Sequence, residues 1–271
     1  VDLAQLGMPQ NVLKHYRSII TQPHGMILIT GPTGSGKTTT LYATLEKINS
    51  EKQKIITVED PVEYQLEGIT QIQANASIGL NFAAGLRSIV RQDPDVLMVG
   101  EIRDHETAEI SIESALTGHL VFSTLHTNDA AGAVTRLQDM GVEGYLISSS
   151  LLAIQAQRLV RRVCTDCAEL VDLNQDEATV LGIPIEICPK VKRGSGCESC
   201  AHTGYRGRVG LYELLMMSDA IRHHIANDSD ANVIRDQAVA EGMQTLREDA
   251  IEKLKNGLTT PEEVVRVTRS A

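Results

Sequence analysis

The run Gly31-Pro32-Thr33-Gly34-Ser35-Gly36-Lys37-Thr38 has the spacing G-x-x-x-x-G-K-[ST], which suits one task. Glycines let backbone N–H groups close around a phosphate without a Cβ in the way. A helix starting at the end of the loop adds its positive dipole. Lys37 is placed to reach β- and γ-phosphates, the Thr38 hydroxyl to hold Mg²⁺, and Thr39 to extend the phosphate-facing set. The flanks agree. Met26-Ile27-Leu28-Ile29 predicts a buried strand leading in, and Thr38 to Ile48 a helix leading out.

Nucleotide hydrolysis also needs an acid that orders the metal and a group that positions water, and strand ends present such groups. Two places qualify. Glu59-Asp60-Pro61-Val62-Glu63 follows a β-branched run at Ile55–Val58, and Glu101 follows Val96-Leu97-Met98-Val99-Gly100. The competing reading of the first is a plain solvated loop. Ser123-Thr124-Leu125-His126-Thr127-Asn128 follows a further strand, where His126 reads either as a γ-phosphate sensor or as a structural histidine. Arg87, Arg91 and Arg103 are candidates for stabilising transition-state charge, against the alternative of solvating a surface.

A second constellation lies downstream. Cys164-x₂-Cys167 and Cys197-x₂-Cys200 are separated by residues 168–196. Each pair offers two thiolates at one turn, and four complete a tetrahedral structural Zn²⁺ site with no open position. Disulfides fit a nucleotide enzyme poorly, and a redox pair explains half of the set. Cys188 is left over as an ordinary thiol.

The elements that must position these groups alternate. Strands at Met26–Ile29, Ile55–Val58, Ile69–Ala74, Val96–Val99 and Leu120–Phe122 are interleaved with helices near Asn11–Thr21, Thr38–Ile48, Phe82–Gln92, Thr107–Leu116, Ala130–Met140 and Gly144–Arg158. That order predicts an α/β domain with a mostly parallel sheet. Residues 164–204 hold all five cysteines and show little helical periodicity. A strand returns at Arg208–Met216, and helices follow from Ser218, the last opened by Pro261. The expected division is 1–163 for nucleotide binding, 164–204 for zinc and 205–271 as a mostly helical region.

The 271 residues suffice for a large core. No run approaches the ~18 apolar residues of a membrane span. The chain starts at Val1 without a Met, as a fragment or processed form does. A net charge of −10 and 3% aromatic content argue against nucleic-acid binding. Local basic patches remain at Arg158, Arg161 and Arg162, and at Lys190, Lys192 and Arg193.

The segment Arg91-Gln92-Asp93-Pro94-Asp95-Val96-Leu97-Met98-Val99-Gly100-Glu101-Ile102-Arg103-Asp104 resembles the signature of the type II secretion and type IV pilus assembly ATPases. The phosphate loop, the acidic box at Glu59–Glu63 and the histidine box at Ser123–Asn128 stand in that family's order, and the likeness runs from about Asp2 to Thr268. The tetracysteine element resembles the secretion and pilus-extension branches rather than the retraction ATPases. The resemblance implies a RecA-like P-loop core, ATP as substrate, Mg²⁺ and structural Zn²⁺, and a homo-oligomer, in form a hexamer. It implies a cytoplasmic enzyme at the inner face of the bacterial inner membrane, working on a platform protein that adds pilin-like subunits. By position, Lys37 and Thr38 bind phosphate and Mg²⁺, Glu101 is an atypical Walker B acid, Glu63 belongs to the acidic box and His126 to the histidine box. Arg87, Arg91 and Arg103 become interfacial or γ-phosphate-sensing arginines. The role split between Glu63 and Glu101 stays open. The family's N-terminal region is missing here, which implies weak hydrolysis and poor assembly for the piece alone. A retraction motor, a DNA-translocating RecA-like motor and a non-hydrolysing zinc docking module remain the rival readings.

Overall fold

The computed structural model describes residues 1–269. The strands are β1 (Gly25–Thr30), β2 (Ile55–Glu59), β3 (Thr70–Gln73), β4 (Val96–Val99), β5 (Leu120–Leu125), β6 (Leu151–Val163), β7 (Ala168–Asp172), β8 (Lys190–Gly194) and β9 (Tyr205–Met216). The helices are α1 (Gln10–Ile19), α2 (Lys37–Ile48), α3 (Phe82–Val90), α4 (His105–Leu116), α5 (Ala130–Asp139), α6 (Gly144–Ser150), α7 (Gln175–Leu181), α8 (Asp219–Ala226), α9 (Ala231–Ala240), α10 (Leu246–Lys255) and α11 (Pro261–Thr268).

Seven strands form one sheet in the order β3-β2-β4-β5-β1-β6-β9. The first six are parallel neighbours and β9 closes the edge antiparallel to β6. β1, β2, β4 and β5 are buried along their whole length, as parallel strands covered on both faces must be. Alternation assigns the two faces. Ile27 and Ile29 of β1 join Leu41 and Leu45 of α2 and Tyr16 of α1 in one core, whereas Met26 and Leu28 join the core of α3 to α6. The loop after β1 therefore emerges between two packed layers, at the carboxyl edge where β4 and β5 also end.

The expectation of a helix over Gly144–Arg158 is corrected. Helix α6 stops at Ser150, and Leu151–Val163 is a strand. A short apolar run does not by its periodicity separate strand from helix. Pairing decides here, with β1 on one side and nearly the whole of β9 on the other. The cysteine segment is also more regular than its sequence suggests. β7 and β8 pair antiparallel, and α7 sits between them with a capping box of Asn174 and Glu177. Leu173, Ala178, Leu181 and Val191 bury their side chains in the same core as the main sheet.

The C-terminal helices follow their sequence signals. Ser218, Asp230, Thr245 and Thr260 each cap a helix with a side-chain oxygen, and Pro261 takes the first turn of α11. The expected boundaries after 163 and after 204 fall at the end of β6 and at the start of β9. No helix among the described residues is long and apolar enough to cross a membrane.

Candidate functional site: a phosphate-loop cleft and a tetracysteine knuckle

The turn after β1 is forced by its glycines. Gly36, directly before α2, has φ +87°, a conformation L side chains rarely adopt. At Gly31 a Cβ would stand 2.5 Å from the Gln157 carbonyl oxygen and from Ser35 Oγ. Gln157 on β6 fixes the loop from behind, donating to the Ser35 carbonyl at 3.1 Å and accepting from Thr40 Oγ1 at 3.0 Å.

Lys37 opens α2 and folds back over this loop, donating from Nζ to the carbonyls of Gly31 (2.6 Å) and Pro32 (3.1 Å). His126 Nδ1 stands 3.2 Å from the same Nζ. Burial first, and the Arg158 cation second, lower the Lys37 ammonium to about 8 against the pull of Glu101. From His126 the contacts continue across the strand ends. Its Nε2 lies 2.9 Å from Glu101 Oε1, and Glu101 Oε2 accepts from Arg103 Nε at 2.8 Å. Arg103 lies 5.1 Å over the Phe82 ring and reaches towards Asp60 at 3.9 Å. One chain of polar contacts thus joins the ends of β1, β5 and β4. The cleft of about 540 Å³ is lined by residues Thr33 to Thr39 together with Glu63, Glu101, Arg103 and His126.

Arg87 and Arg91 stand apart from that lining. Arg87 pairs with Glu106 on the next helix, and Arg91 is exposed at the C-cap of α3. Within the acidic box the two glutamates do different things. Glu63 faces the cleft, and its backbone N–H donates to Tyr42 Oη at 3.1 Å. Glu59 is buried and accepts from Tyr42, from Thr57 Oγ1 at 2.6 Å and from Gln71 Nε2 at 3.1 Å. It therefore anchors the loop to α2 and β3. Nothing in its spacing separates it from Glu63; the signal was its place as the last residue of a wholly buried strand.

Two residues were missed as parts of this site. Arg208 on β9 lines the cleft beside the phosphate loop. It lies inside β9 within Arg206-Gly207-Arg208, and nothing in that local spacing marks it for the cleft. Arg158, expected in a surface patch, is buried on β6, and its Nη2 donates to both the carbonyl and Oδ1 of Asn128 at 3.2 Å. Three more residues of the two basic patches are paired: Arg161 with Glu263, Lys190 with Asp172, and Arg193 with Glu177 and Glu262.

The four cysteines converge. Their Sγ atoms all lie within 4.8 Å of one another, with Cys164–Cys197 at 3.8 Å, Cys167–Cys200 at 3.9 Å and Cys197–Cys200 at 3.8 Å. Thiolates about 2.3 Å from a central Zn²⁺ sit about 3.8 Å apart, so the set fits this ion. None is in a disulfide. The amides of Cys197 and Gly204 donate to Cys200 Sγ and favour its thiolate, the form a metal binds. Cys188 is buried outside the cluster.

A family profile described as Type II/IV secretion system protein matches residues 1–266. The chain belongs to this family. It is 51% identical over 269 residues to Type II secretion system protein E of Aeromonas hydrophila, covering 99% of this chain and 54% of that one. It is 47% identical over 271 residues to the Type IV pilus assembly ATPase PilB of Thermus thermophilus, covering 98% of this chain and 30% of that protein. It spans about half the length of the type II secretion relatives it matches. Among solved structures, the pilus retraction motor PilT with bound ADP superposes with a TM-score of 0.71 at 31% identity, over 99% of this chain and 67% of that one. The Legionella pneumophila ATPase DotB gives 0.72 at 25% identity, over 100% and 66%. The fold is thus the RecA-like one of the secretion ATPases, carrying a tetracysteine cluster.

Proposed function

We propose that this chain is the ATP-hydrolysing part of a secretion or pilus-assembly motor. The observation that carries the reading is the chain of contacts from Lys37 through His126 and Glu101 to Arg103, which brings the ends of three adjacent strands onto one phosphate loop. Lys37 exchanges the carbonyls of Gly31 and Pro32 for the phosphates of ATP, and the loop amides complete the cradle. Thr38, which lines the same cleft as Glu101, would hold Mg²⁺, and the bound ion would neutralise charge on the phosphate oxygens. Glu63 and Glu101 are the two carboxylates available to order the attacking water. His126 touches both Lys37 and Glu101, so it registers the loss of the γ-phosphate. Arg103 and Arg208 face the phosphates from this chain. Arg87 and Arg91, outside the cleft, suit the cleft of a neighbouring copy in a ring, in form a hexamer.

The cysteine cluster supports structural zinc. The turnover is read as moving an inner-membrane platform that polymerises pilin-like subunits, from the cytoplasmic face. The likeness to a pilus retraction motor favours retraction as the second reading, and the cysteine cluster weighs against it. Lys37→Ala tests the reading. Turnover of MgATP by the assembled full-length chain falls at least about 10³-fold, the scale at which lost charge stabilisation acts in such sites. Turnover within twofold of the native enzyme refutes it.

A further inference from the structure

Three consecutive residues behind His126 are each held by a different part of the chain. Asn128 accepts twice from Arg158 of β6. Asp129 caps α5 through Gly132 N at 2.8 Å and pairs with Arg235 of α9. Ala130, the first residue of α5, donates its amide to Glu213 Oε1 at 3.0 Å. The other oxygen of Glu213 accepts the amide of Leu246, the first residue of α10, also at 3.0 Å. Glu213 is 3% exposed, so a single buried carboxylate on β9 joins the starting amides of two helices.

We infer that Glu213 and the Asp129–Arg235 pair are positioning residues, through which the C-terminal helices α9 and α10 set where His126 stands relative to Lys37 and Glu101. The inference rests on the reading of His126 given under Proposed function. The physical argument is one of constraint. The His126 loop contacts the nucleotide cleft at its front. Thr30 of β1 holds the Thr127 amide through its Oγ1 at 2.9 Å, and of the three attachments that follow at 128–130, two lead to the C-terminal helices. Burial raises the Glu213 carboxyl, and the two amide bonds oppose that shift. A carboxylate satisfies both helix starts because both its oxygens accept. An amide at this position offers one acceptor and turns a donor towards the other N–H, so one helix is released. The front contacts at Lys37 and Glu101 span only 2.9 to 3.2 Å, distances that a shift of about 1 Å breaks.

The test is a kinetic double-mutant cycle with MgATP on the full-length chain, well below the melting temperature. Glu213→Gln lowers kcat about tenfold with KM for MgATP within about twofold, because misplacement acts on the reacting arrangement rather than on loop binding. In a His126→Ala background the same substitution causes no further loss, since there is no imidazole left to position. If Glu213→Gln does not fold, Arg235→Met gives the same cycle from the partly exposed side, and Arg235→Lys restores kcat by keeping a cation on Asp129. Equal losses in both backgrounds, or an unchanged kcat in Glu213→Gln, overturn the inference. His126→Ala slowed while Glu213→Gln is not overturns the coupling alone. Native turnover in His126→Ala overturns the site reading as well.

Discussion

The phosphate-loop cleft and the cysteine knuckle are both ligand sites at chain turns, yet their donors are prepared in opposite ways. In the knuckle, four sulfurs already stand at the edge lengths of a zinc tetrahedron, and backbone amides point at them. In the cleft the charged groups at the strand ends engage one another: Lys37 meets loop carbonyls and His126, His126 meets Glu101, and Glu101 meets Arg103. The first arrangement suits an ion that arrives once and stays. The second suits a ligand that comes and goes, because each contact made to it replaces an internal one of similar kind. Cysteine thiols serve permanence in one place and charged side chains serve exchange in the other, and the difference shows in what else each set touches.

Zinc removal probes the permanent site and carries the largest effect. Elemental analysis gives about one zinc per chain, and chelation costs local folding up to on the order of 10 kcal/mol. The loss is confined to the knuckle, residues 164–167 and 195–204, because α7 and β8 are packed into the main core. Hydrogen exchange checks this; protection of the knuckle unaltered by chelation contradicts it.

At the exchanging site, Glu101→Gln removes the carboxylate that links His126 and Arg103. Steady-state turnover falls by about 10²-fold with KM little changed, the range for an electrostatic group at the reacting centre. A KM effect alone makes Glu101 a binding residue.

The smallest effect is a pH dependence. Lys37 titrates near 8 in the protein, below its ordinary 10.5. Its ammonium, which phosphate requires, is present below that value and is lost as pH rises through it. KM for MgATP therefore climbs severalfold between about pH 7 and 9, by up to tenfold per pH unit beyond the pKa. The linked stability runs the other way. A depressed lysine opposes folding below its folded pKa, and that cost disappears above its unfolded one. A flat KM across this window shows that the ammonium does not bind phosphate.

Much of the sheet was legible because buried parallel strands write themselves as apolar runs, as in Met26–Ile29 and Val96–Val99. The phosphate loop and the cysteine set were legible because their chemistry needs fixed spacing. β6 was not, since Leu151–Val163 has the composition of a helix until β1 and β9 pair with it. Arg208 and Glu213 belong to the same blind spot. β9 reaches the cleft only because it joins the far edge of the sheet, and no local pattern announces a pairing partner so distant in sequence. Glu59 and Glu63 looked alike, and burial against Tyr42 separates them.

The central claim is that Lys37 and the amides of residues 31–38 hold a nucleotide's phosphates. Calorimetric titration of the full-length chain with MgADP measures this without requiring turnover. One site per chain in the native protein, weakened at least about tenfold (1.4 kcal/mol) in Lys37→Ala, is the predicted result. Equal affinity in the two proteins, or no heat from either at saturating nucleotide, contradicts the account.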